Sequence, residues 1–153
     1  GSYVFLWGHK QEKTKTWYGM LLPTGETTQT LDTMTELWTG SPPAQRAPRI
    51  GEIRSPAAQG VVAPGEVFGA SVRAGDPDGD TLGYQWVISN ESQVISAGGD
   101  PERRLREYPE LTLTAGPRAT FRAPSQPGEY RLFVTVRDGT GRAATANTPF
   151  KVE

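Results

Sequence analysis

Three stretches of this chain alternate apolar and polar side chains residue by residue. Phe68, Ala70, Val72 and Ala74 interleave with Gly69, Ser71 and Arg73, and Leu82, Tyr84, Trp86 and Ile88 with Gly83, Gln85 and Val87. Tyr130, Leu132, Val134 and Val136 do the same with Arg131, Phe133, Thr135 and Arg137. In an extended strand neighbouring side chains point to opposite faces, so a period of two means one face buried and one face wet. Shorter candidate strands lie at 49–54, 110–114, 119–122 and 143–152. Turn formers separate them: APG at 63–65, DPDGD at 76–80, AGGDP at 97–101, QPG at 126–128 and DGTG at 138–141. Residues 97–109 read as a longer polar crossover. About seven short strands in about 105 residues predict a mainly-β fold, an antiparallel sandwich with an immunoglobulin-like strand count. Trp86 belongs at its centre, and Tyr130 starts the penultimate strand, where a tyrosine corner bonds upstream backbone.

Residues 1–40 have a different character. All 12 Arg lie at or beyond Arg46, whereas Lys10, Lys13 and Lys15, Met20 and Met34, and Trp7, Trp17 and Trp38 all precede residue 41. Of 13 Pro, 12 follow it. The segment GSPPAQRAP at 40–48 carries three prolines, which block a helix and extend the residues before them. The expected organisation is a head over 1–40, a Pro-rich linker over 41–48 and the sandwich over 49–153. Within the head, YVFLW at 3–7 and WYGMLL at 17–22 predict two strands. Leu31, Met34, Leu37 and Trp38 recur at helical spacing, and Gly40 ahead of two prolines stops that helix.

The composition excludes several chemistries. With no Cys and one His, thiolate nucleophiles, disulfides and multi-His zinc sites are ruled out. A net charge of -1 argues against a nucleic-acid partner, and no apolar run approaches the roughly 20 residues of a membrane helix. No Gly-rich phosphate loop links a strand to a helix. His9 sits in a Lys-rich polar loop beside Glu12, and Arg103, Arg104 and Arg106 are offset by Glu102 and Glu107, so both groups read as solvated. No pair of acids stands out as a glycosidase pair, and no catalytic residue is assigned.

The head resembles the closing strand, loop and helix of a TIM-barrel glycoside hydrolase, on YVFLWG, TWYGMLLPTGE and ELWTG. That resemblance implies a chain lying C-terminal to a catalytic domain whose carboxylates come from earlier strands, and it places Trp7 where such barrels floor a sugar subsite. DPDGDTLGYQW and PGEYRLFVTVRDGTG resemble the polycystic-kidney-disease-type and cadherin-like modules of secreted and surface proteins. The chain departs from those modules after Trp86, continuing VISNESQVIS where they carry a GDG turn. Together these resemblances imply a non-catalytic accessory domain of a secreted, periplasmic or cell-surface polysaccharide-active enzyme. Its partners would be its own upstream catalytic domain and polysaccharide.

Two sets of residues can carry chemistry. Trp7, Trp17, Tyr18 and Tyr108 are candidates for stacking on sugar rings, which would make the chain a carbohydrate-binding module. Asp76, Asp78 and Asp80 alternate in one tight turn, with Asp138 at the end of a neighbouring strand. Oxygen donors at that spacing suit Ca²⁺, the one cofactor the sequence points to, and with it an adhesion or spacer role. This is no EF-hand, because Thr81 and Val87 stand where that loop needs Gly and Glu. As a plain turn, DPDGD is equally good chemistry.

Overall fold

The structure, a computed structural model, describes residues 3–16, 19–94 and 102–153. The fold is mainly β. In chain order come helix α1 (Gln29–Thr39) and strands β1 (Arg49–Ile50), β2 (Val61–Val62), β3 (Val67–Ser71), β4 (Ala74–Gly75) and β5 (Gly83–Asn90). Then follow β6 (Glu107–Tyr108), a 3-10 turn (Pro109–Leu111), β7 (Arg118–Arg122), β8 (Gly128–Arg137) and β9 (Ala143–Val152). One sheet has five strands in the order β2-β9-β8-β5-β6, and β3-β7 and β1-β4 form two-stranded pairs. An Arg54–Ser71 bridge joins the β1 side to β3, so the two pairs make one layer. Between these strands all pairings are antiparallel except β2 on β9, which departs from the all-antiparallel expectation. There the chain enters along the edge of β9 without a hairpin to reverse it.

The alternation places the two layers face to face. Phe68 (β3) and Phe121 (β7) meet Trp86 (β5) and Phe150 (β9) across the gap, with ring centroids 5.5–5.6 Å apart. Tyr130 stacks on Phe150 at 5.8 Å. All five are buried, as are Ile88, Leu132, Val134, Val136 and Val152. The two polar atoms in this aromatic centre are satisfied. Trp86 Nε1–H donates to the Gly116 carbonyl at 2.9 Å, and the Tyr130 hydroxyl to Gln126 O at 2.9 Å, four residues upstream. Burial, with the nearby Tyr108, raises the Tyr130 phenol above its usual value of 10.0. Residues 110–114 fall short of the predicted strand. Pro109 opens a 3-10 turn, and pairing resumes only at Thr112 with Phe121.

The five-stranded sheet is covered on its second face too. Val87 and Phe133 point away from the core, yet are only 8% and 3% exposed. The head lies over this face, with Met20 and Leu22 buried. Thr27 completes the junction, accepting from the Ala143 N–H at 2.9 Å and donating to Gly141 O at 3.0 Å. The predicted head strands shrink to isolated bridges, Leu6–Gly19 and Leu21–Thr27, because forty residues supply no further strand to pair with their edges. The helix forms where expected and ends on left-handed Gly40, whose N–H donates to Glu36 O at 2.8 Å. It buries none of its residues, and Leu37 and Trp38 are exposed. The linker is fixed in place. Ala47 and Pro48 are buried, and the Ala47 N–H donates to Asp32 Oδ2 at 2.6 Å. No helix among the described residues is long and apolar enough to cross a membrane.

Trp86→Ala is expected to cost about 3–5 kcal/mol in chemical denaturation, and Tyr130→Phe about 1 kcal/mol for the lost corner bond. Gly19→Ala would bring a Cβ to 2.6 Å from the Gly8 carbonyl oxygen. Faster amide exchange in residues 19–28, with the β8–β9 amides unchanged, is the expected signature of that clash.

Candidate metal centre

The turn at 76–80 is organised by its own first carboxylate. Asp76 Oδ1 accepts the N–H of Asp78 at 2.8 Å and of Asp80 at 3.1 Å, and Gly79 takes the left-handed φ of 88° that closes the loop. The turn after β8 repeats the device. Asp138 Oδ1 accepts from the Thr140 N–H at 2.7 Å and the Arg142 N–H at 3.1 Å, and Oδ2 from the Thr140 hydroxyl at 2.7 Å. Antiparallel pairing of β5 with β8 sets Gly83 opposite Arg137 and so brings the two turns to the same end of the sandwich.

There Asp76, Asp80 and Asp138 each offer a carboxylate oxygen within 4.8 Å of the other two. Asp138 is buried, and Asp76 and Asp80 half-buried. Asp76 Oδ2 and Asp80 Oδ2 are shielded from solvent and have no hydrogen-bond partner among the described residues. Carboxylates this close repel one another, and orphaned buried oxygens are costly unless a cation joins them. Arg142 is the protein's own positive charge beside them. The donor set is all oxygen, as a hard cation requires, and Ca²⁺ tolerates irregular geometry. The residues therefore fit such an ion.

Asp78 stands apart from the other three. It turns outward to Arg46, with Nη2 at 2.7 Å and Nε at 3.0 Å from Oδ1, while the Arg46 N–H donates to Oδ2 at 2.6 Å. The side-chain and then the backbone hydrogen bond from Arg46 hold its pKa below 3.8. Its work is to fasten the linker to the turn. The i, i+2, i+4 spacing alone cannot distinguish it from its neighbours, since the distinction comes from a residue 32 positions away.

The aromatic candidates do not form one site. Trp7 is 56% exposed on the head. Trp17 and Tyr18 lie outside the described residues. Tyr108 is half-buried on the sandwich, its hydroxyl donating to Asn90 Oδ1 at 2.8 Å and its ring 6.1 Å from Tyr130. Arg106 lies over that ring at 4.8 Å. Sequence reasoning missed Tyr3 and Phe5, 97% and 79% exposed. Tyr3, Phe5 and Trp7 alternate with the half-buried Val4 and Leu6, and the same period of two that revealed the sandwich strands would have found them.

Burial works to raise the Asp138 pKa, but the hydrogen bonds from Thr140 and Arg142 outweigh it and hold the carboxyl below 3.8. A group with a folded pKa lower than its unfolded one stabilises the fold fully above the unfolded value, and that stabilisation disappears as pH falls through the folded value. Thermal stability should therefore hold from neutrality down to about pH 4 and decline below it. Asp138→Asn should flatten that acid limb in melts recorded across pH.

No protein-family model matches the chain, and no curated protein matches it. Among solved structures it is similar to a nucleoside hydrolase-related hypothetical protein from Saccharophagus degradans that is associated with carbohydrate metabolism. The identity is 18% and the TM-score 0.42, over 72% of this chain and 26% of that one. The chain thus spans about a quarter of that protein's length.

Proposed function

We propose that the chain is a non-catalytic accessory module, the C-terminal part of a secreted, periplasmic or cell-surface polysaccharide-active enzyme, that packs against and orients its catalytic domain. Its sandwich is immunoglobulin-like, of the polycystic-kidney-disease or cadherin kind. The central Trp86 and the Tyr130 corner favour that assignment. The observation that carries the proposal is the two-sidedness of the head. One side joins the sandwich through Glu26 and Thr27, with Met20 and Leu22 buried, while the other turns out Tyr3, Phe5 and Trp7. Large apolar side chains held in a row on an exposed surface mark a contact with something else. A catalytic barrel joined to the head is the partner that the YVFLWG and ELWTG resemblance supplies.

In the full-length enzyme, Phe5→Ser with Trp7→Ser should split a shared calorimetric transition into separate melts of the two domains, with the sandwich transition unmoved. A single unaltered transition would overturn the packing role. If the row instead holds polysaccharide, the same variant loses retention on insoluble glucan while the melting profile stays whole.

A second reading rests on the orphaned oxygens of Asp76 and Asp80: Ca²⁺ bridges the two turns and stiffens that end of the module. Extracellular modules bind Ca²⁺ with Kd on the order of 10⁻⁴–10⁻³ M. Ca²⁺ at about 100 times Kd would then add about 2.7 kcal/mol and raise Tm by several degrees. Asp80→Asn should abolish that rise. Equal midpoints in Ca²⁺ and in chelator would leave Arg142 as the cluster's counter-ion.

A further inference from the structure

Between the head, the outer face of β5 and β8, and residues 102–109 lies a cleft of about 810 Å³. Small-ligand sites run about 300–1,000 Å³. Val87 and Phe133, 8% and 3% exposed, lie at its base, and the hydroxyls of Thr24, Thr135 and Thr145 and the amide of Gln85 line it. Four cationic side chains, Lys10, Lys15, Arg104 and Arg137, face two carboxylates, Glu102 and Glu107.

Three of the four cations are engaged. Lys10 pairs with Glu12 at 2.5 Å, Lys15 with Glu107 at 2.6 Å and Arg137 with Glu26 at 2.5 Å. Glu102 accepts the Lys13 N–H at 2.9 Å. Arg104 is exposed and makes no hydrogen bond or ion pair among the described residues. Its neighbour Arg106 is spent on the Tyr108 ring, so the Arg-rich segment divides between a structural contact and a free guanidinium at the cleft. A guanidinium is a rigid fork matched to a carboxylate. The Phe133 ring is closed to a stacking base, being 3% exposed with Lys15 Nζ 5.0 Å from its centroid. What remains is the Arg104 guanidinium beside hydroxyl and amide groups, with the Glu102 carboxylate held by the Lys13 N–H and the Ser92 hydroxyl, a match for a ligand rich in hydroxyls that bears an acid.

We propose that this cleft binds an acidic saccharide, a uronic-acid-bearing chain whose carboxylate pairs with Arg104 and whose hydroxyls meet Gln85, Thr135 and Thr145. The inference rests on the polysaccharide reading above and adds to it a class of sugar and a site that Tyr3, Phe5 and Trp7 do not line.

The test is isothermal titration of the full chain with trigalacturonate, with cellotriose as the neutral counterpart and with inorganic phosphate. Trigalacturonate is expected to bind, with cellotriose at least about tenfold weaker. Arg104→Ala should lose about tenfold and Arg104→Lys should recover part of it, while Arg103→Ala, a neighbour outside the cleft, should bind like the parent. Melting each variant checks that the fold is intact. Equal binding of the two sugars, or an Arg104→Ala titration like the parent's, overturns the acid assignment. Phosphate binding as tightly as trigalacturonate overturns the saccharide. No binding of either sugar overturns the cleft as a site. The calorimetric test of Phe5 and Trp7 does not involve the cleft, so the accessory role stands or falls separately.

Discussion

Five aromatic rings run in series through the interior, Trp86 to Phe121 to Phe68 to Phe150 to Tyr130, crossing between the two layers at Trp86–Phe121 and at Phe68–Phe150, with neighbouring centroids 5.5–5.8 Å apart. Each ring removes a large apolar area from water, and offset or edge-on pairs add to that. The layers must hold one spacing and one register for all four contacts to form together. Both ends of the chain of rings are pinned, by Trp86 on Gly116 and Tyr130 on Gln126. Register follows, since a one-residue slip would turn every one of these side chains to the wrong face.

That register has consequences beyond the core. With Trp86 and Ile88 committed inward, Val87 and Ser89 face outward, and in β8 Phe133 does likewise. An outward Val and Phe side by side need cover, and Lys15 of the head lies over the Phe133 ring at 5.0 Å. The head is anchored at its margins by Thr27 on the start of β9 and by Glu26 on Arg137. Burial alone would raise the Glu26 pKa, but the Arg137 and Thr24 hydrogen bonds outweigh it and hold the carboxyl below 4.5. The same pairing of β5 with β8 that aligns the core brings the loop of Asp76 and Asp80 beside Asp138. Core, head dock and carboxylate cluster thus share a single register.

The candidate sites were legible to different depths. Asp76, Asp80 and Asp138 were visible because turn-forming acids at strand ends are a local pattern. The diversion of Asp78 to Arg46 was not, because it depends on where the linker lies in space. Tyr108 reads as a free aromatic in sequence, yet it packs on Tyr130, since β6 joins the sheet beside β5. The cleft has no signature in the chain at all. Its walls come from residues 9–16, 22–24, 85–89, 102–109, 133–137 and 145, and only docking of the head assembles them.

The amino-acid order by itself determined the alternation, the turns at 76–80 and 138–141 and the stop at Gly40, because each depends on interactions within a few residues: opposite faces of a strand, a side chain bonding its own backbone, a left-handed φ that favours glycine. It also determined that Trp86 and Tyr130 enter the core. Tertiary structure decided the rest: that β2 runs parallel to β9, that the predicted head strands come down to single bridges, that the helix buries no side chain, and that one aspartate of four turns away. Each of those outcomes depends on which distant backbone or charge lies within hydrogen-bonding reach, and chain spacing does not encode that distance.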